Sequence, residues 1–172
     1  MDTLITNYDS SFRQSLERLL YDYLVLTANI VKEPPLCYDF NDDAIEEALA
    51  FTFANLSQFV PPHGQIFVAT ITEELVGTAA IKMIRPDVAE LKRMYVKPEF
   101  QGRHIGDDLL VRALKAAKDF GAKEIFLESA PPFKSAHNLY RKHGFEDFEE
   151  YPEASIPEEV RYFDWMWMKK VL

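Results

Sequence analysis

The spacing of apolar residues along the chain changes period more than once. Leu4–Tyr8 is short and partly apolar, and fits a first strand. From Asp9 to about Ile30, the residues Phe12, Leu16, Leu19, Leu20, Tyr23 and Leu24 recur at three- and four-residue steps. That period predicts a helix with one buried face, for which Asp9, Ser10 and Ser11 are candidate N-caps. Pro34-Pro35 ends it, because proline has no N–H and clashes with the turn before it. Asn41-Asp42-Asp43 opens a second helix running to about Leu56, and Pro61-Pro62-His63-Gly64 is a turn cluster.

After that turn the period falls to two. Gln65–Thr72 and Leu75–Ile84 are β-branched and apolar, joined by Glu73-Glu74, and predict a hairpin. Ala89–Lys97 continues as a third strand of this run. His104–Phe120 returns to helical spacing, with Ile105, Leu109, Ala113, Leu114, Ala117 and Phe120 in one stripe and Gly121 as its stop. Glu124–Ser129 reads as a strand, and Ser135–His143 as a short helix stopped by Gly144. Phe145–Tyr151 and Arg161–Val171 predict a closing antiparallel pair across an acidic loop. The order β-α-α-β-β-β-α-β-α-β-β predicts an α/β (α+β) fold, a mixed sheet covered by helices. Strand 89–97, helix 104–120 and strand 124–129 form a crossover unit that joins parallel strands with a right-handed turn.

Composition narrows the class. The chain has 172 residues, which predicts one domain spanning 1–172. Its 48% apolar and 13% aromatic content supports a sizeable core and excludes wholesale disorder. With 19 Lys and Arg against 28 Asp and Glu, the net charge is −9 at pH 7. Such a chain is a poor general binder of nucleic acid or anionic membrane, and suits a cationic ligand better. Cys37 is the one cysteine, so no internal disulfide forms. The first residues lack a signal-peptide pattern and no apolar run is long enough to span a bilayer, which predicts a soluble, cytoplasmic protein.

One segment carries candidate chemistry. Gln101-Gly102-Arg103-His104-Ile105-Gly106 joins a strand to the start of the long helix. A glycine-containing loop at a helix N-terminus offers free backbone N–H groups and the positive end of the helix dipole, a ready site for phosphate. Lys97, Arg103 and His104 add positive charge locally. The spacing matches neither a dinucleotide-binding G-x-G-x-x-G nor a Walker A loop, and on spacing alone a plain strand-to-helix turn is equally open.

The run Glu90–Leu110 resembles the acetyl-CoA motif of GNAT-type N-acetyltransferases, whose signature Gln/Arg-x-x-Gly-x-Gly/Ala follows a strand ending in Val-x-Pro. Some thirty residues on, Ser135–Phe145 resembles the second motif, Ala-x-x-Leu-Tyr-x-x-x-Gly-Phe. The resemblance covers Gln65 to the C-terminus well, and the first sixty residues only in element order. It implies a mixed, splayed sheet flanked by helices on both faces, with acetyl-CoA as co-substrate. His104 stands where the signature has its first glycine; its side chain is expected to point away from the pyrophosphate.

The resemblance implies a role for each part of the site. Gln101, Gly102, Arg103, His104, Ile105 and Gly106 would take the pyrophosphate. Met94, Tyr95 and Val96 would offer backbone groups to the pantetheine arm, in the gap between splayed strands. Asn138 would hydrogen-bond the cofactor, and the Met94 N–H would face the developing oxyanion. Tyr140 stands at the general-acid position for the leaving thiolate. Glu90 stands where some relatives place a base; pairing with Lys92 or a neighbouring strand is the alternative. On a regular strand Glu90, Lys92, Met94 and Val96 share one face.

Other signals are weaker. Cys37 has no Cys-His-Asn context. His63, His104, His137 and His143 show no metal-ligand spacing, so no metal is expected. Trp165-Met166-Trp167-Met168 alternates, which on a strand sends the two types to opposite faces. Glu149, Glu150, Glu153, Glu158 and Glu159 border a loop that would attract a cationic amine. The expected activity is acetyl transfer from acetyl-CoA to a primary amine, a small cationic one. The alternative is a non-catalytic acyl-CoA sensor, and a homodimer stays open.

Overall fold

The computed structural model describes residues 2–34, 36–154, 156 and 161–172. Its strands are β1 (Leu4–Asn7), β2 (Gly64–Ile71), β3 (Glu74–Arg85), β4 (Val88–Val96), β5 (Glu124–Ser129), β6 (Glu146–Asp147) and β7 (Met166–Val171). Its α-helices are α1 (Arg13–Lys32), α2 (Asp42–Ala54), α3 (Ile105–Asp119) and α4 (Lys134–Lys142). The sheet order is β1-β2-β3-β4-β5-β7-β6. Every neighbouring pair is antiparallel except β4 with β5, the pair joined by the α3 crossover.

Local chemistry explains most boundaries. Asp9 accepts from the Ser11 N–H and opens a 3₁₀ turn at Ser10–Phe12, so α1 starts later than its first apolar residue. Asn41 caps α2 through the Ala44 N–H at 2.9 Å. The β2–β3 hairpin turns on Thr72 and Glu73, both with positive φ, which suits the twist of a two-residue turn. The Pro35 half of the expected helix stop lies outside the described residues.

The central strands are covered on both faces, as their near-continuous apolar runs require. On one face Phe67, Ala69, Ile81, Leu91 and Ile125 pack against Leu109, Ala113 and Ala117 of α3 and Tyr140 of α4. On the other, Ile66, Val68, Ala80 and Tyr95 pack against Leu16, Leu19 and Leu20 of α1. A smaller cluster of Val88, Phe126 and Tyr151 lies farther along the sheet, with Trp167 beside it. Met168 turns into the α3 core and Trp167 away from it, as their alternation predicts. Among the described residues no helix is long and apolar enough to cross a membrane.

Two departures from the expected pattern shape the site. The closing pair is short: β6 has two residues, registered Glu146↔Lys169 and Asp147↔Met168. Beyond it the chain leaves the ladder, and Tyr151 turns its side chain beneath β4 and β5. The second departure is a bulge in β4. Ala80 faces Lys92, but Thr78 faces Tyr95, so β4 carries one extra residue there. Arg93 sits in it with φ 54° and ties it to α2, its guanidinium donating to Thr52 Oγ1 at 2.9 Å. One extra residue inverts the alternation of side chains. Glu90 and Lys92 therefore do not share a face with Met94 and Val96, which pack into the α3 core instead.

Candidate active site

Pairing between β4 and β5 stops at Glu90↔Phe126. Both strands run on, β4 to Val96 and β5 to Ser129, so the sheet opens into a wedge at its C-terminal end. Open sheets of this kind seat ligands beyond the C-terminal ends of parallel strands.

The Gln101–Gly106 loop lies at the mouth of that wedge. A Cβ on Gly106 would lie 3.4 Å from Leu139 Cδ2 of α4 and 3.7 Å from Met94 Cε of β4. The missing side chain thus brings the helix backbone close to both walls. No side chain caps α3, whose first helical bond runs from the Asp108 N–H to the His104 carbonyl at 3.0 Å. The N–H groups of the turn before it project from the helix end, where an anion is favoured. Gly102 has φ 75° with open space where a Cβ would be. His104 adopts φ 63°, ψ 6°, the left-handed region, and its ring is 79% exposed. Histidine here keeps a glycine-like backbone and directs its ring into solvent. Gln101 donates from Nε2 to the Val96 carbonyl at 3.0 Å, which pins the loop to the end of β4. The Arg103 guanidinium lies 5.4 Å from the centre of the Phe100 ring.

Two acidic residues, Asp107 and Asp108, stand in the first turn of α3. Asp107 is neutralised locally. It accepts from Lys142 and His143, and these two bonds hold its carboxyl down at about 2.

Tyr140 of α4 is buried, its ring 5.7 Å from that of Phe145. Burial chiefly, then the nearby Tyr23 and Glu128, push the phenol well above its ordinary value, so it stays protonated. Asn138, two residues earlier, is exposed. His137 is buried with Nε2 2.9 Å from Ser129 Oγ, and burial first of all lowers its pKa, keeping the imidazole neutral.

Glu90 is fully buried on the opposite face. Lys82, its cross-strand neighbour on β3, brings Nζ to 3.0 Å from Oε2. Tyr151 Oη lies 2.7 Å from Glu90 Oε1 and 2.8 Å from Glu128 Oε2. Lys92 contacts Glu128 Oε1 and lies 3.7 Å from Glu90 Oε1. The sequence alone does not mark Lys82, Glu128 or Tyr151 as neighbours of Glu90. The available signal was alternation: Glu128 follows the last paired residue of β5 by two and so lies on the Glu90 side of the sheet. Nothing in sequence places Tyr151 there.

A model of the acetyltransferase (GNAT) family matches residues 26–145. The chain belongs to that family. Among curated GNAT relatives, the uncharacterized N-acetyltransferase YedL of Escherichia coli is 26% identical over 140 residues, 72% of this chain and 88% of YedL. An acetyltransferase from Streptococcus agalactiae superposes with a TM-score of 0.76 at 21% identity, covering 99% of this chain and 98% of that one. PaiA N-acetyltransferase from Thermoplasma acidophilum, solved in complex with coenzyme A, superposes with a TM-score of 0.69 at 20% identity over all of both chains. The fold is thus the GNAT fold, with a splayed sheet and helices on both faces.

Proposed function

We propose that the 172 residues act as one cytoplasmic domain that transfers the acetyl group of acetyl-CoA to a primary amine. The observation that carries this reading is the wedge itself, which opens where β4–β5 pairing stops, together with the uncapped α3 terminus that follows β4 and the buried, protonated Tyr140 phenol on α4. The relatives' names and the coenzyme A complex of PaiA support the choice of acyl donor.

The residues present fit that donor. Gly106 adds no side chain at the uncapped α3 terminus, and the N–H groups near Gln101, Gly102, Arg103, His104 and Ile105 favour the charge of a phosphate. The unpaired edge of β4 at Met94, Tyr95 and Val96 suits an extended amide-bearing arm, and Asn138 supplies an exposed amide on α4. The thioester carries the acetyl group in activated form. The Met94 N–H is the oxyanion donor in this reading; as the C–N bond forms and the C–S bond breaks, Tyr140 gives its proton to the departing thiolate, and the surplus proton on the acetylated nitrogen restores the phenol. Glu90 is too buried to meet an amine directly, so a base role for it runs through intervening groups.

A small cationic amine remains the acceptor of choice, though not because of the acidic loop. Glu150 is paired with Arg161, and Glu153 with Arg85. Glu158 and Glu159 lie outside the described residues. The net charge of −9 supports the preference instead. Thiol release on mixing the protein with acetyl-CoA and a panel of aliphatic amines tests the reading. Tight acetyl-CoA binding with no release across the panel would favour a non-catalytic acyl-CoA sensor.

A further inference from the structure

Strands β3 and β4 carry four basic residues: Lys82, Arg85, Lys92 and Arg93. Three of them face a carboxylate. Lys82 lies 3.0 Å from Glu90, Arg85 grips Glu153 through two bonds of 2.8 Å, and Lys92 meets Glu128. Arg93 has no carboxylate partner among the described residues. Its guanidinium gives one N–H to Thr52 Oγ1 at 2.9 Å, and that hydroxyl donates its own proton to the Ala48 carbonyl. A guanidinium has five N–H donors, so most of this one is uncommitted. Its remaining nitrogens are not sealed in the core, and the residue is half-buried.

The backbone makes this use of an arginine more telling. Arg93 holds φ 54°, a conformation that disfavours every residue with a Cβ. The bulge also turns Lys92 and Arg93 to the same side of the sheet, the side away from α3, where one meets Glu128 and the other meets α2. Arg93 stands three residues past the last β4–β5 pair and directly before Met94, the oxyanion donor in the reading above. Helices α3 and α4 cover the opposite face. An amine that attacks a thioester in the wedge from the side away from those helices arrives beside the Arg93 guanidinium.

We propose that Arg93 is a specificity residue that binds a carboxylate on the acceptor, so that the acceptor is an amine that also carries a carboxylate, of the amino-acid class. The inference rests on the amine-acetylation reading and deepens it. A planar guanidinium takes a carboxylate through two parallel N–H donors, a geometry that an ammonium cannot offer. The bond to Thr52 holds the fork in one direction before the ligand comes, which lowers the entropy lost on binding. The neighbouring cations are already matched, so Arg93 is the unmatched positive charge of these two strands. No bond is made or broken at Arg93, and the transfer step itself is unchanged.

The test compares amino acids with their own carboxamides, which keep the amine and remove the anion. Glycine, β-alanine, γ-aminobutyrate and L-leucine, each beside its amide, are acetylated while thiol release is followed. The α-amides are the less basic amines and hold more free base at neutral pH, so a preference for the acids runs against intrinsic reactivity. The wild type should favour at least one acid over its amide by about 10²-fold in kcat/KM. Arg93→Gln should bring that ratio to within about threefold of one, by raising KM for the acid rather than lowering kcat. Arg93→Lys, which keeps the charge without the fork, should lower the ratio by about 10-fold. Thr52→Val frees the guanidinium from α2 and should keep most of the preference. A wild type that favours the amides, a ratio unmoved by Arg93→Gln, or equal losses with acid and amide in the Arg93 and Thr52 variants would each overturn the proposal. Calorimetric titration of the coenzyme A-loaded protein with the N-acetyl derivatives of the same acids needs no turnover. Binding there that Arg93→Gln abolishes, without acetylation of any amine, sustains the carboxylate site and overturns the reaction reading alone. Neither binding nor turnover overturns both.

Discussion

Asp107 Oδ1, in the first turn of α3, lies 3.0 Å from His143 Nε2, just past the end of α4. Lys142 Nζ reaches the same oxygen at 2.5 Å. One carboxylate thus joins the two helices that flank the wedge, and its own charge is cancelled where a phosphate would sit. The consequence for stability follows from its lowered pKa. A carboxyl held at about 2 when folded, against an ordinary 3.8, stabilises the fold fully above the unfolded value. That contribution fades as pH falls from about 4 through about 2. Lys142 is well exposed, so the tie contributes only about 1 kcal/mol. Asp107→Asn should lower unfolding free energy by about that much at pH 7, with the gap closing below about pH 3. Urea unfolding of both proteins across that range checks it; a gap independent of pH would contradict the linkage.

His104 occupies a left-handed backbone position that costs a non-glycine residue about 1–2 kcal/mol. Glycine there relieves that cost but gives the unfolded chain more freedom, an opposing effect of about 0.4–1 kcal/mol. His104→Gly should therefore raise stability by a net of about 0.5–1 kcal/mol and leave the KM for acetyl-CoA no higher. His104→Val should do the reverse, because a β-branched residue resists positive φ most strongly. Denaturant midpoints and acetyl-CoA titrations of the two variants give the comparison, and a destabilised glycine variant would show that the ring makes a contact of its own.

The elements were largely legible because each carries its own period and punctuation. Asn41 capped α2 as its side chain suggests, and the wedge follows from a crossover whose strands outrun their pairing. What stayed hidden is non-local. The bulge at Arg93 has no glycine or proline to mark it, and it is set by how β4 must meet β3. It moves Met94 and Val96 to the α3 face, which simple alternation would not allow. The family motif singles out Glu90, but its partners come from β3, β5 and a loop sixty-one residues away. Their convergence depends on β6 ending after two residues, and no local composition encodes that.

Tyr140 offers a clean separation of chemistry from packing. Its ring fills the core against Phe145, while its hydroxyl has no hydrogen bond among the described residues. Tyr140→Phe keeps the ring and removes only the proton source. Stability should change by less than about 0.5 kcal/mol, because no bonded partner is orphaned. kcat at saturating acetyl-CoA should fall by about 10²-fold, with little change in acetyl-CoA affinity. Thiol-release kinetics and calorimetric titration measure the two quantities. An unchanged kcat would remove Tyr140 from the acid role.

Lys92 is a buried cation between the buried carboxylate of Glu90 and the part-buried one of Glu128. Replacing it with methionine fills similar volume but leaves Glu90 and Glu128 with Lys82 alone for charge compensation. Removing one partner of a buried ion pair costs about 3–5 kcal/mol, so Lys92→Met should be strongly destabilised at pH 7. Lys92→Met combined with Glu128→Gln should recover much of the loss at pH 7 by removing the orphaned charge. Thermal melts of the wild type and of the single and double variants at neutral pH decide it; a double variant no more stable than the single one would contradict the orphaned-charge account.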